Sequence, residues 1–182
     1  SYFAVALAQA GFRVVMPDAP DHGARFNGDA QERMFRFWHI LQQNMQEFTT
    51  LRAALVAENW LSDERLAVAG ASMGGMTALG IMTRHPEVKC VASLMGSGYF
   101  TRLAQTLFPP LRVQTPEQQA EFDAVIAPLA EWDVTHQLQR LADRPLLSWH
   151  GQEDDVAPAV ETLRLQQALI QAGLDNNLTC LW

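Results

Sequence analysis

The chain has 182 residues, about the size of a single domain and long enough to bury a substantial core. Its 48% hydrophobic and 18% charged residues exclude a disordered polymer, and its apolar runs are strand-sized, too short for a membrane span. Thirteen Lys and Arg against twenty Asp and Glu leave a net charge of −7, which argues against a nucleic-acid or anionic-membrane surface and for a small-molecule partner.

Ser1 to Ala10 places Phe3, Ala6, Leu7 and Ala10 on one helical face, and Gly11 stands where a left-handed C-terminal cap is needed. Phe12–Met16 is a β-rich run stopped by Pro17, and Asp18–Gly23 has the composition of a loop. From about Asp29 to Trp60, the residues Met34, Trp38, Leu41, Met45, Phe48 and Leu55 recur at helical spacings and predict one long helix with a buried stripe. Arg65–Ala69 reads as a strand, Met73–Arg84 as a helix, and Val88–Met95 as a strand buried on both faces.

Residues 97–145 are less regular, with helices expected over Glu117–Ile126 and Asp133–Ala142. A strand at Leu146–His150, a helix at Val160–Ala172 capped by Gly173, and a strand at Leu178–Trp182 complete the pattern. Alternating strands and helices predict a single α/β domain over residues 1–182, with a mostly parallel sheet and helices on both faces. Cys90 and Cys180, each beside apolar residues, read as buried thiols of a reducing compartment, and no export signal follows Ser1. The expected location is therefore cytoplasmic.

Gly70-Ala71-Ser72-Met73-Gly74 falls between a predicted strand and a predicted helix, the context that gives a G-x-S-x-G pentad its meaning. Chance alone supplies about 0.02 such pentads at this composition. A strand turning at once into a helix crowds its backbone, and the two glycines are expected to relieve that crowding while Ser72 sits in a strained conformation. Ser72 is then the candidate nucleophile, and the Met73 N–H, at the helix N-terminus, is the candidate oxyanion-hole donor.

A nucleophilic serine needs a histidine base and a carboxylate that orients it. His150-Gly151-Gln152-Glu153-Asp154-Asp155 follows a predicted strand, so its carboxylates lie at the same sheet edge as Ser72. Asp154 is the candidate acid and Asp155 its rival; a solvated acidic loop capping the next helix is the alternative.

With its elbow at residues 70–75, its H-G-x-x-D-x-x-x-P pattern at His150, Gly151, Asp154 and Pro158, and its D-x-P-x-H-G loop at Asp18–Gly23, the chain resembles the α/β-hydrolase superfamily. It is most similar to small bacterial serine carboxylesterases of the dienelactone-hydrolase and prolyl-oligopeptidase-like branch. That resemblance implies hydrolysis of short-chain carboxylic esters through an acyl-enzyme on Ser72, without metal or cofactor. Thioesterase or peptidase activity of the same fold, and a non-catalytic binding module, are the alternatives.

The resemblance also implies two parts that these residues lack: a histidine in a loop after the last strand, and an upstream H-G-x loop giving a second oxyanion donor. The expectation is an internal piece of a complete esterase, without its first strands and last helix, and inactive alone. His22, His39, His85, His136 and His150 are the candidate substitute bases, with His150 nearest the acid in sequence. Residues 97–145, which include Tyr99, Phe100, Leu107, Phe108, Pro109, Pro110 and Trp132, are read as a possible pocket-covering segment. Asp18, Asp21 and His22 could be drawn as metal ligands, but their crowding within five residues favours loop structure.

Overall fold

A computed structural model describes all residues, 1–182. Four strands, β1 (Ala67–Ala71), β2 (Cys90–Leu94), β3 (Leu146–Trp149) and β4 (Leu178–Leu181), pair in parallel in the order β1-β2-β3-β4. Parallel neighbours need crossovers, and these are α5 (Met73–Arg84), the long 97–145 segment and α8 (Ala159–Gln171). No helix is long and apolar enough to cross a membrane.

Helix α5 is the centre of the molecule. Every residue from Gly75 to Thr83 is buried, so the helix is closed in on all sides. Its Ala78, Leu79, Ile81 and Met82 pack with Val91, Leu146, Leu165 and Leu169 in a core between sheet and helices. Met76, on another side, joins Trp38, Leu41, Met45, Phe100, Leu103 and Leu129 in a second core beneath the 97–145 segment.

Burial across the sheet is asymmetric. Val91, Ser93, Leu146 and Ser148, which share one face by register, are buried, whereas Ala67, Ala69, Ala71 and Trp149 on the other are exposed. The Val88–Met95 run, expected to be buried on both faces, follows this alternation: Cys90, Ala92 and Leu94 are half-buried.

Phe12–Met16 forms no strand. A strand exists through its ladder, and none of the four strands pairs with this segment, which leaves Phe12 and Met16 exposed. The opening helix, α1 (Tyr2–Gln9), does end as read: Gly11 takes φ +96°, and the Phe12 N–H reaches Leu7 O at 3.1 Å.

The single helix expected over 29–60 is three: α2 (Ala30–Phe35), α3 (Phe37–Gln46) and α4 (Phe48–Ala57). Both junctions carry ion pairs to the loop before them. Arg36, between α2 and α3, pairs with buried Asp21, and Glu47, between α3 and α4, accepts two bonds from Arg25 at 2.7 and 2.8 Å. The predicted stripe is otherwise correct, since Trp38, Leu41, Met45, Phe48 and Leu55 are all buried; Met34 is exposed.

In the crossover, α7 (Pro116–Ile126) forms behind a Thr115–Gln118 capping box, and a short α6 (Phe100–Leu103) precedes it. The expected helix over 133–142 does not form beyond one 3-10 turn at Leu138–Leu141. Asp133 is engaged instead across the chain: Oδ1 accepts from Thr135 N (2.8 Å) and Oδ2 from Thr101 N (3.0 Å) and Thr101 Oγ1 (3.1 Å). Tyr99, Phe100 and Trp132 are buried in the two cores, whereas Leu107, Phe108, Pro109 and Pro110 are half-buried. Both cysteines are free and half-buried, and burial pushes the Cys180 thiol up.

Arg144 ties the far end of α5 to the sheet. Its guanidinium donates to Met82 O, His85 O, Val88 O and Arg140 O at 2.8–2.9 Å, satisfying carbonyls that the end of a helix leaves open. Arg144→Met is expected to destabilise the fold by about 2–4 kcal/mol in chemical denaturation, because it removes the donor and strands buried acceptors.

The Arg25 hydrogen bonds hold the Glu47 carboxyl below its usual range, against the opposing effect of burial. A carboxylate lowered in the folded state contributes stability above its unfolded pKa, and this is lost as pH falls through the folded one. The melting-temperature gap between wild type and Glu47→Gln is therefore expected to be small at neutral pH, since the pair is partly exposed, and to close on acidification.

Candidate active site

Ser72 lies between the last residue of β1 and the first of α5, at φ +55° and ψ −118°. Positive φ is unusual for a residue with a Cβ and costs about 1–3 kcal/mol, so the surrounding contacts must impose it. Two hydrogen bonds do so: Ser72 N donates to Leu94 O at 2.8 Å, and Ser72 O accepts from Met76 N at 3.0 Å. The residue is exposed, and its hydroxyl has no protein hydrogen-bond partner. Met73 is the first residue of α5, where N–H groups have no partner within the helix.

The glycine requirement is narrower than the pentad suggests. A Cβ on Gly70 would stand 2.3 Å from the carbonyl carbon and oxygen of Gly74, so strand and helix touch backbone to backbone. A Cβ on Gly74 would meet nothing within 4 Å. The further close approach is at Gly75, where a Cβ would lie 2.9 Å from Leu94 O and 3.0 Å from Ser93 Oγ. The turn thus depends on Gly70 and Gly75.

Asp154 lies in the loop leaving β3, half-buried, with Asp155 and Glu153 exposed beside it. Its Oδ1 accepts from Val156 N at 3.0 Å and Ala157 N at 2.9 Å, and its Oδ2 is 3.3 Å from His150 Nε2. Register aligns Ala71, Leu94 and Trp149, so Ser72 and His150 each stand one residue beyond the same edge, two strands apart. At one strand spacing per step that is about 10 Å, a gap that a carboxylate does not close without an intervening group. A cleft of about 670 Å³, lined by Met95, Gly151, Gln152, Glu153, Asp154 and Trp182, opens there.

No histidine of the chain bonds to Ser72. His22 Nδ1 lies 2.8 Å from Pro20 O, and His85 Nδ1 lies 2.9 Å from Glu87 Oε1. His39 is exposed on α3 beside a separate groove with Arg36 and Glu121, and His136 is exposed before the 3-10 turn at Leu138–Leu141. His150 is fully buried, with both nitrogens in contact with protein atoms. The Asp18–His22 carboxylates are likewise engaged: Asp18 accepts from Ala24 N, and Asp21 from Asn27 N and Arg36.

Sequence reasoning had no signal for the Ser72–Leu94 bond or for Met95, held at φ +53° beside the cleft. It also missed Thr162, whose hydroxyl meets His150 from α8. These are contacts between segments distant in sequence, made by residue types with no motif of their own.

Gly70→Ala is expected to destabilise the protein by about 3 kcal/mol or to prevent its folding, since both partners in the clash are backbone. Gly74→Ala enters open space within α5 and is expected to leave stability equal or up to about 1 kcal/mol higher by thermal melting.

Comparison with known proteins places the chain in a family. The model of the prolyl oligopeptidase family, Peptidase_S9, matches residues 1–180. The chain is 68% identical over its full length to esterase YjfP of Escherichia coli, spanning 73% of that protein. It is 33% identical over 174 residues to the putative esterase YitV of Bacillus subtilis, with 92% of this chain and 68% of that one covered. Among solved structures, TT1662 from Thermus thermophilus superposes with a TM-score of 0.63 at 20% identity over 91% of this chain and 64% of its own. A puromycin-hydrolyzing peptidase of Mycobacterium tuberculosis gives 0.59 at 22% identity over 82% of this chain, which spans 22% of that protein. These likenesses show the α/β-hydrolase fold, and the sequence matches show that the chain belongs to the prolyl oligopeptidase family.

Proposed function

We propose that the chain carries the nucleophile and acid of a serine hydrolase that cleaves short-chain carboxylic esters. The observation that supports this most directly is Ser72 itself, exposed at positive φ between β1 and α5 with its hydroxyl unengaged. Ser72 Oγ attacks the ester carbonyl, the alcohol leaves, and water releases the acyl group from the serine. The Met73 N–H faces the oxyanion of each tetrahedral intermediate, with the positive end of α5 adding to its stabilisation. Asp154, held by two backbone N–H groups, orients the base histidine and stabilises its cation.

The esterase names of two relatives at 68% and 33% identity support an ester substrate over an amide or thioester. A non-catalytic module has no use for a strained serine at a helix start, and this weighs against the binding-protein reading. None of the five histidines bonds Ser72, which supports assigning the base to a histidine outside these 182 residues.

Hydrolysis of a short p-nitrophenyl ester tests both statements. The 182-residue chain and its Ser72→Ala variant are expected to show the same background rate. In the full-length gene product, Ser72→Ala is expected to lower kcat by about a thousandfold or more with the fold intact by circular dichroism. Unchanged turnover there refutes the assignment of Ser72. Ser72-dependent turnover by the 182 residues alone would mean that one of their own histidines acts as base. Thioester and peptide substrates in the same assay set the acyl-transfer class.

A further inference from the structure

His150 is the most deeply placed titratable group near the site, at 0% exposure, and the reaction above gives it no task. Its Nε2 lies 2.7 Å from Ala157 O and 3.3 Å from Asp154 Oδ2. A carbonyl oxygen only accepts, so Nε2 carries the proton whether the ring is neutral or charged. That N–H goes to the Ala157 carbonyl, and the carboxylate stands beside the ring nitrogen without a hydrogen bond to it.

The opposite nitrogen, Nδ1, is 2.7 Å from Thr162 Oγ1 in the first turn of α8. The same hydroxyl lies 3.2 Å from Gly96 O, just beyond β2. The ring is thus fixed on one side by α8 and β2, and on the other by the loop that carries Asp154. A base acting on Ser72 needs a free nitrogen facing the serine, and His150 has neither.

On the carboxylate, Oδ1 is occupied by two backbone N–H groups from the same loop. Those bonds alone would let Oδ2 follow the loop's own motion. Through Ala157 O the imidazole ties that turn to the end of β3 and, through Thr162, to α8.

We infer that His150 is a positioning residue, whose Nε2–H holds Ala157 and, through the Ala157 N–H, fixes the orientation of the Asp154 carboxylate toward the base. The inference rests on the roles of Ser72 and Asp154 proposed above. It differs from a merely space-filling core histidine in requiring a donor at the Nε2 position.

The test uses the full-length gene product, p-nitrophenyl ester kinetics, and a melting curve for each variant. His150→Gln places an amide N–H near the Nε2 position and is expected to keep kcat within about threefold. His150→Asn keeps polarity only near Nδ1, and kcat is expected to fall about tenfold or more, the worth of a buried carbonyl left without its donor, with KM changed less than about twofold. Thr162→Val frees the ring without emptying the core and is expected to lower kcat in the same direction.

Wild-type kcat in a folded His150→Asn, or a His150→Gln no better than His150→Asn, overturns the inference. If His150→Asn does not fold, Thr162→Val decides, and wild-type kcat in that variant overturns it as well. Ser72→Ala in the same assay separates the two levels. Retained turnover there refutes the hydrolase reading, whereas lost turnover with an insensitive His150 refutes the positioning role alone.

Discussion

The backbone of Gly70 lies against the backbone of Gly74, and most of the molecule depends on that contact. It lets β1 turn into α5 with one residue between them, so that the helix starts at the sheet edge and runs back along the buried face. Because α5 then lies between the sheet and α3, its apolar side chains unite two cores that would otherwise share no element. Within that turn the intervening residue, Ser72, is held at positive φ by its bonds to Leu94 and Met76. Strain of about 1–3 kcal/mol at one residue is small beside the burial of nine consecutive residues of α5, so the fold can maintain it indefinitely. A turn that is costly by itself becomes stable because it is the entry to the core.

Elements whose signals are local were legible in the sequence. The G-x-S-x-G pentad, the bounds of α5, the Gly11 and Gly173 caps and the strands at β2, β3 and β4 all follow from periodicity and turn chemistry within a few residues. Phe12–Met16 shows the limit of this reasoning. Its β-rich composition is real, but a strand is a relation between two segments, and the sheet of these 182 residues offers this one no partner. The breaks at Arg36 and Glu47 were hidden for a similar reason, since neither residue is a helix breaker. Each stands at a kink with its side chain paired to a residue 15 to 22 positions upstream.

Polar side chains that satisfy buried backbone were the least visible class. Arg144 precedes a proline in a segment that reads as a loop, yet it closes the carbonyls at the end of α5. Asp133 reads as a helix start, and instead spends both oxygens on Thr101 and Thr135. In each case the residue type is common and its role is set by which donors or acceptors the tertiary structure leaves over. A single sequence does not carry that information, because the leftover groups belong to other elements.

The sequence favoured Asp154 as the acid with Asp155 as its rival, and the surroundings of the three neighbouring carboxylates differ on physical grounds. A carboxylate that is to orient a histidine must be held in place, and hydrogen-bond donors do that. Asp155 and Glu153 face solvent, where rotation is free and water screens their charge. Asp154 alone of the three accepts two backbone N–H groups from its own turn and faces a protonated nitrogen of a buried ring. Two strand spacings separate Ser72 from His150, which opens the loop that carries Asp154, so nucleophile and loop stand apart at one sheet edge. The width of the sheet therefore sets that separation, and a cleft lined by Asp154 opens beside the loop.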